Sequence, residues 1–205
     1  MSTPAAPATS PLALETREGG EGTIERTPAG KIGMWLFLAT DAMGFAALLI
    51  AYAILRVHAD QWPDAQERLA VLQAAVMTAV LVTSSFTMTM AVRAAREGRR
   101  GARTTWHAVT IVLGVAFLAG QLVEYGHLAD GPRPLGLGAD VFASTFYAVT
   151  GYHGLHVVAG LVILIGLFLG PRMRASSLEV AAIFWHFVDL AWIPIFSFVY
   201  LLPIT

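Results

Sequence analysis

Five runs of apolar residues dominate this chain: roughly Ile32–Leu55, Leu69–Val92, Thr105–Tyr125, Val141–Leu169 and Leu178–Ile204. Each reaches the ~20 residues that a helix needs to cross a hydrocarbon core. None shows the two-residue alternation of a barrel strand. In lipid, backbone N–H and C=O groups must find partners inside their own segment, and that leaves helices. Composition agrees: 56% of residues are hydrophobic and 13% charged, with a mean hydropathy of +0.64, whereas soluble chains carry roughly 25% charged residues. The expected fold is all-α, a polytopic membrane bundle of five transmembrane helices in one domain spanning residues 31–205.

The remaining sequence narrows the function classes. There is no cysteine, which excludes disulfides, cysteine-ligated metal centres and thiol catalysis. A net charge of −1 argues against a nucleic-acid partner. Residues 1–30 hold Pro4, Pro7, Pro11 and Pro28 among small and charged residues. Such a stretch has too little apolar area to repay its ordering entropy, so a disordered tail is predicted. It lacks the apolar core of a secretory signal peptide. The connections are short, with turn signals at Trp62-Pro63-Asp64, Gly131-Pro132-Arg133-Pro134 and Pro171, and no internal repeat is visible.

Charge predicts orientation. Arg17, Arg26, Lys31, Arg93, Arg96, Arg99, Arg100, Arg103, Arg172 and Arg174 fall on one side; Arg56, Arg68 and Arg133 fall on the other. The positive-inside rule places the N-terminus in the cytoplasm and the C-terminus outside. At the helix ends, Asp140 is a candidate N-cap for the fourth helix. Ser176-Ser177-Leu178-Glu179 fits a capping box at the fifth, with Glu179 returning to the Ser176 amide. Pro194 frees the carbonyl of Leu190 and predicts a kink.

Ionisable groups within a span cost at least about 2.5–3.5 kcal/mol each near the bilayer centre, so they should face protein, water or one another. Here they are Asp41, Glu124, His153, His156, His186 and Asp189, with His107 at the start of the third helix. His153 and His156 share a face, and so do His186 and Asp189, which can pair. The histidines read either as axial haem ligands on facing helices or as buried hydrogen-bonding groups that tie helices together. Asp41 reads either as a proton-relay group or as a neutral acid bonded to a neighbouring helix. Glu124 reads as an anchoring group at the membrane edge or as a second coupling carboxylate. Gly166-Leu167-Phe168-Leu169-Gly170 has the spacing of a close helix contact. Trp35, Trp185, Trp192 and Tyr200 suit interface belts or packing gaps. No phosphate loop, nucleophile elbow or zinc helix occurs, so no catalytic or metal-ligating residue is expected.

The polar islands occur in a recognisable order. Lys31-Ile32-Gly33-Met34-Trp35-Leu36-Phe37-Leu38-Ala39-Thr40-Asp41 opens the first helix, and Phe117 and Gln121-x-x-Glu124-Tyr125 mark the third. Ser144-Thr145-Phe146 leads into Thr150-Gly151-Tyr152-His153-Gly154-Leu155-His156-Val157, and Glu179 precedes Trp185-His186-Phe187-Val188-Asp189-Leu190-Ala191-Trp192. From about residue 31 onward the chain resembles subunit III of the haem–copper oxygen reductases, the cytochrome c oxidase subunit 3 family. The resemblance implies the five-helix bacterial form, which lacks the first two helices of the seven-helix members. It implies a non-catalytic subunit of a proton-pumping terminal oxidase in a bacterial inner membrane. This subunit would carry no redox cofactor; haem and copper would sit in subunit I. The expected partners are subunit I, subunit II and bound phospholipid. Asp41 falls where many members have a reactive membrane glutamate, and with Glu124 it is a proton-coupling candidate. His153, His156, His186, Asp189 and Glu179 would form a structural polar network. The five-helix subunit III-like protein of nitric oxide reductase systems is the alternative within the family. A haem-bearing membrane anchor is a different class, and a transporter is disfavoured because paired broken helices are missing.

Overall fold

The computed structural model describes residues 29–59, 62, 69–130, 140–170 and 174–202. Most of the predicted tail and the proline turns at 131–134 and 171 lie outside them. The described chain forms α1 (Ala29–His58), α2 (Val71–Arg96), α3 (Arg100–Asp130), α4 (Val141–Leu169) and α5 (Ala175–Phe196). A π-helical turn, Ser197–Leu201, continues α5. No strand occurs among the described residues. All five helices are long and apolar enough to cross a membrane. Four of them outrun the apolar segments read from sequence at one or both ends, because helical hydrogen bonding continues through the charged turns where hydropathy falls.

The α2–α3 connection shows how the sequence closes a hairpin. Gly98 takes φ +69°, the left-handed region that a Cβ disfavours. Its N–H bonds to the Ala95 carbonyl at 3.2 Å, and that of Arg99 to Ala94 at 2.9 Å. This paired closure stops α2 and lets α3 start at once. Glu97 in the turn accepts from Arg93 Nε at 2.9 Å and Arg99 Nε at 2.6 Å. The bonds from Arg93 and then Arg99 hold its carboxyl below the usual range. At the start of α4, Asp140 caps as expected, its Oδ1 accepting from the Ala143 amide at 2.6 Å.

Two local expectations are corrected. The capping box at α5 does not form: the helix begins at Ala175 behind Arg174, with no side-chain cap. Glu179 instead accepts from Lys31 of α1 at 2.5 Å and Arg96 of α2 at 2.6 Å. Two cations outcompete one backbone amide for a carboxylate. The Gly166–Gly170 spacing marks no helix contact, since a Cβ at Gly166 would meet nothing within 4 Å. The close approaches lie at single glycines elsewhere. A Cβ on Gly114 would fall 2.6 Å from the Trp185 ring, and one on Gly160 would fall 2.8 Å from it.

These glycines seat α5 in the bundle. It packs against α1, α2 and α4, while α3 packs against α2 and α4. Trp185 enters the space left by Gly114 of α3 and Gly160 of α4, fully buried. Its indole N–H donates to Ser84 Oγ of α2 at 3.0 Å. Two turns on, Trp192 donates to Thr78 Oγ1 of α2 at 2.9 Å. It also meets Phe117 edge-on with ring centroids 5.0 Å apart. After Pro194, whose missing N–H interrupts the ladder, the chain widens into the π turn. There the Leu202 N–H reaches Ser197 O at 3.0 Å. Outward-facing apolar residues such as Trp35, Met43, Leu155 and Leu190 are exposed, as suits a surface solvated by lipid or a neighbouring subunit.

Filling the tryptophan slot is therefore expected to be costly. Gly114→Val should lower stability by about 1–3 kcal/mol through overpacking. Gly166→Ala should change it by no more than about 0.5 kcal/mol. Thermal unfolding in detergent, followed by circular dichroism, checks both.

Candidate functional site

The candidate residues sort into three groups. In the first, α1 carries Asp41 to the face of α4, where Tyr152 and His156 lie one turn apart. Asp41 Oδ1 accepts from Tyr152 Oη at 2.9 Å and meets His156 Nε2 at 3.1 Å. The other ring nitrogen of His156, Nδ1, lies 2.8 Å from the backbone oxygen of Tyr152. A carbonyl can only accept, so Nδ1 carries a proton. Nε2 and Oδ1 can then bond only if one further proton lies between them, as acid plus neutral imidazole or as carboxylate plus imidazolium. One proton therefore lies between them in a half-buried site, and Asp41 Oδ2 is buried and makes no hydrogen bond among the described residues. Phe45 roofs the site, its ring centroid 4.8 Å from that of Tyr152 and 5.1 Å from that of His156. Gly44 admits the phenol: a Cβ there would stand 2.9 Å from Tyr152 Oη.

The second group is centred on Glu124. Sequence placed it at the membrane edge; the structure buries it to 1% exposure, because α3 runs on to Asp130. Its Oε2 accepts from Tyr200 Oη at 2.9 Å and from Gln121 Nε2 at 3.3 Å. The π turn delivers Tyr200 to this acid, and Tyr125 beside it bonds Thr150 at 2.8 Å.

The third group departs from the sequence reading. His186 and Asp189 share a face of α5 but do not pair. The His186 ring turns to α2, where Nδ1 lies 2.6 Å from Ser85 Oγ and Nε2 lies 3.5 Å from Thr89 Oγ1. Both oxygens of Asp189 are buried and make no hydrogen bond among the described residues. His153 and His156 also diverge. His156 engages Asp41, while His153 is fully buried against the rings of Phe117, Phe45 and Trp192, the last 4.9 Å away. Both His156 nitrogens are committed within the protein, and aromatic rings crowd His153. His156 thus ties α4 to α1, whereas neither ring nitrogen of His153 makes a hydrogen bond among the described residues. Among the described residues no three His, Asp or Glu side chains converge as a metal site. His107 is buried at the opposite end of α4, its ring against Phe168.

Sequence reasoning overlooked the neutral partners: Ser84, Ser85, Thr78 and the hydroxyls of Tyr152 and Tyr200. One signal was available. A buried indole N–H or phenol O–H needs an acceptor, and Trp185, Trp192 and Tyr200 recur at intervals that keep them on one side of α5. Tyr200→Phe is expected to destabilise the fold by about 1–3 kcal/mol by leaving Glu124 underbonded. Adding Glu124→Leu should recover part of that loss, because the polar group left behind is then also removed. Denaturant titration of the single and double variants measures the coupling.

A sequence profile described as cytochrome c oxidase subunit III matches residues 11–203. The cytochrome c oxidase subunit 3 of Synechocystis is 38% identical over 83% of this chain and 74% of its own length. That of Thermostichus vulcanus is 34% identical over 83% of this chain and 86% of its own. The cytochrome bo(3) ubiquinol oxidase subunit 3 of Pseudomonas aeruginosa is 35% identical over 83% of each chain. With five membrane-crossing helices and matches that span most of its length, this chain belongs to the cytochrome c oxidase subunit III family.

Proposed function

We propose that the chain is the non-catalytic subunit III of a proton-pumping haem–copper terminal oxidase, which reduces oxygen to water. The observation that carries the role is the Asp41–Tyr152–His156 site. It is a proton-sharing acid–base pair set inside a membrane span, where an unneeded ionisable group would be costly. The relatives' names include both cytochrome c and ubiquinol oxidases, so the electron donor is left to the other subunits. In this reading haem and copper belong to subunit I, and the exposed apolar faces dock on subunit I, subunit II and lipid.

Charge distribution supports an orientation with the Lys31–Arg96 end in the cytoplasm of a bacterial inner membrane. Lys31 and Arg96 lie beside Glu179 there, and Arg93 and Arg99 flank Glu97. A groove of about 440 Å³ at that end, with Lys31, Arg93 and Arg96 above Val92 and Ile183, has the composition to hold a phospholipid by headgroup and chain. A second groove of about 400 Å³ lies beside it between Met34, Leu167 and Val180.

Purification from the native membrane should recover the chain with a haem- and copper-bearing partner; recovery without one overturns the reading. Within that complex, Asp41→Asn should leave assembly intact while altering proton uptake or shortening activity during turnover. Wild-type pumping and lifetime across pH would reduce Asp41 to a packing group.

A further inference from the structure

The charges at the Lys31–Arg96 end do not cancel. Four cations share two carboxylates there: Lys31 and Arg96 meet Glu179, while Arg93 and Arg99 meet Glu97. The side chains of Arg93, Arg96 and Arg99 remain 67%, 63% and 56% exposed, so each can take a further partner. Arg100 opens α3 beside them. Helix direction adds to the surplus. The starts of α1, α3 and α5 lie at this end, and none of the three has an acid in its first turn. The unbonded N–H groups of those turns carry partial positive charge. Between the cationic rim and the bundle, the groove of about 440 Å³ has an apolar floor of Val92, Ala182 and Ile183.

The same chain supplies the opposite charge. Residues 1–28 lead into α1, and their acids fall in one stretch: Glu15, Glu18, Glu21 and Glu25, against Arg17 and Arg26. The attachment point limits their reach. Ala29 begins α1, Lys31 lies two residues on, and the single carboxylate of Glu179 joins Lys31 to Arg96. Even a fully extended chain keeps Glu25 within about 14 Å of Ala29 and Glu21 within about 29 Å. We propose that the segment Glu18–Glu25 docks on the rim of this groove and competes there with an anionic phospholipid. Glu21 and Glu25 would face Arg93 and Arg96, and Ile24 the apolar floor. The competition rests on the reading of the groove as a phospholipid site. Glu97 and Glu179 oppose the incoming acids, but each is already held between two cations. Exposed ion pairs are individually weak, so a free acidic peptide would hardly stay. Tethering changes the balance, because a short connection gives an effective concentration in the millimolar range. The segment therefore holds the rim when anionic lipid is scarce and yields as its content rises. Lipid composition then decides which of the two occupies the groove.

The absence of cysteine makes the test direct, since Thr23→Cys and Gly101→Cys can carry a pair of nitroxide labels. Gly101 is exposed, and a Cβ there meets nothing within 4 Å. The full-length chain, with the partners it retains, is placed in phosphatidylcholine nanodiscs at low salt. Pulsed dipolar spectroscopy should then give a narrow distance distribution between the labels. Replacing Glu18, Glu21 and Glu25 together by Gln should broaden it, and so should about 0.5 M salt, which screens exposed charges. Exchanging part of the phosphatidylcholine for phosphatidylglycerol should also broaden it. In titrations read by native mass spectrometry, the Gln variant should bind phosphatidylglycerol roughly tenfold more tightly than wild type. A distribution that neither the Gln variant nor salt alters overturns the docking, and equal phosphatidylglycerol affinity in the two forms overturns the competition. A distribution that is narrow only with an oxidase partner present assigns the segment to that partner and overturns the inference. A salt-sensitive narrow distribution, with no phosphatidylglycerol bound by either form, refutes the groove as a lipid site and leaves the docking standing.

Discussion

The fold depends on α5 supplying buried donors to acceptors on its neighbours. In lipid the hydrophobic effect does not distinguish one helix face from another, so packing and interhelical hydrogen bonds must set the register. Trp185 to Ser84, Trp192 to Thr78 and Tyr200 to Glu124 do so at three depths. The first two pin α5 to α2, and the third pins it to α3. Each bond is modest, about 1 kcal/mol or less by comparison with other membrane helices. Each also comes with a wide aromatic body that fills a matching gap, most clearly where Trp185 meets Gly114 and Gly160. A shift of one residue would cost the bond and the fit together.

The two acid sites follow from this frame. Asp41 and Glu124 are both held by a tyrosine hydroxyl from another helix, yet they are not equivalent. Asp41 has an imidazole facing it at 3.1 Å. Glu124 is met by a phenol and an amide among the described residues. One carboxyl thus faces an imidazole, and the other bonds the π turn to α3.

Much of this was legible beforehand, for identifiable reasons. Helix number follows from run length, because hydrocarbon thickness sets it. The cap at Asp140 is a local feature and was readable from one residue. The failures at Glu179 and at the His186–Asp189 pair share a cause. Each expectation used spacing along one helix, while the real competitor sat on another: Lys31 and Arg96 for the first, Ser85 for the second. The Gly166 spacing misled in the same way, since a small residue marks a contact only where a large one stands opposite. Pro194 announced a disturbance, but sequence could not say that it would emerge as a π turn carrying Tyr200 inward.

Among the described residues, polar attachments of α1 lead to α4, α5 and the π turn that follows α5. Lys31 meets Glu179, Asp41 meets Tyr152 and His156, and Arg56 donates to the carbonyls of Phe198 at 3.4 Å and Leu202 at 3.0 Å. During synthesis α1 is made before α4 and α5, so these fastenings form only once those helices have followed. Biogenesis of this subunit therefore has a built-in waiting period, with a carboxyl and two cations held by a lone helix. Any assembly factor that shields that helix would act between the insertion of α1 and that of α5.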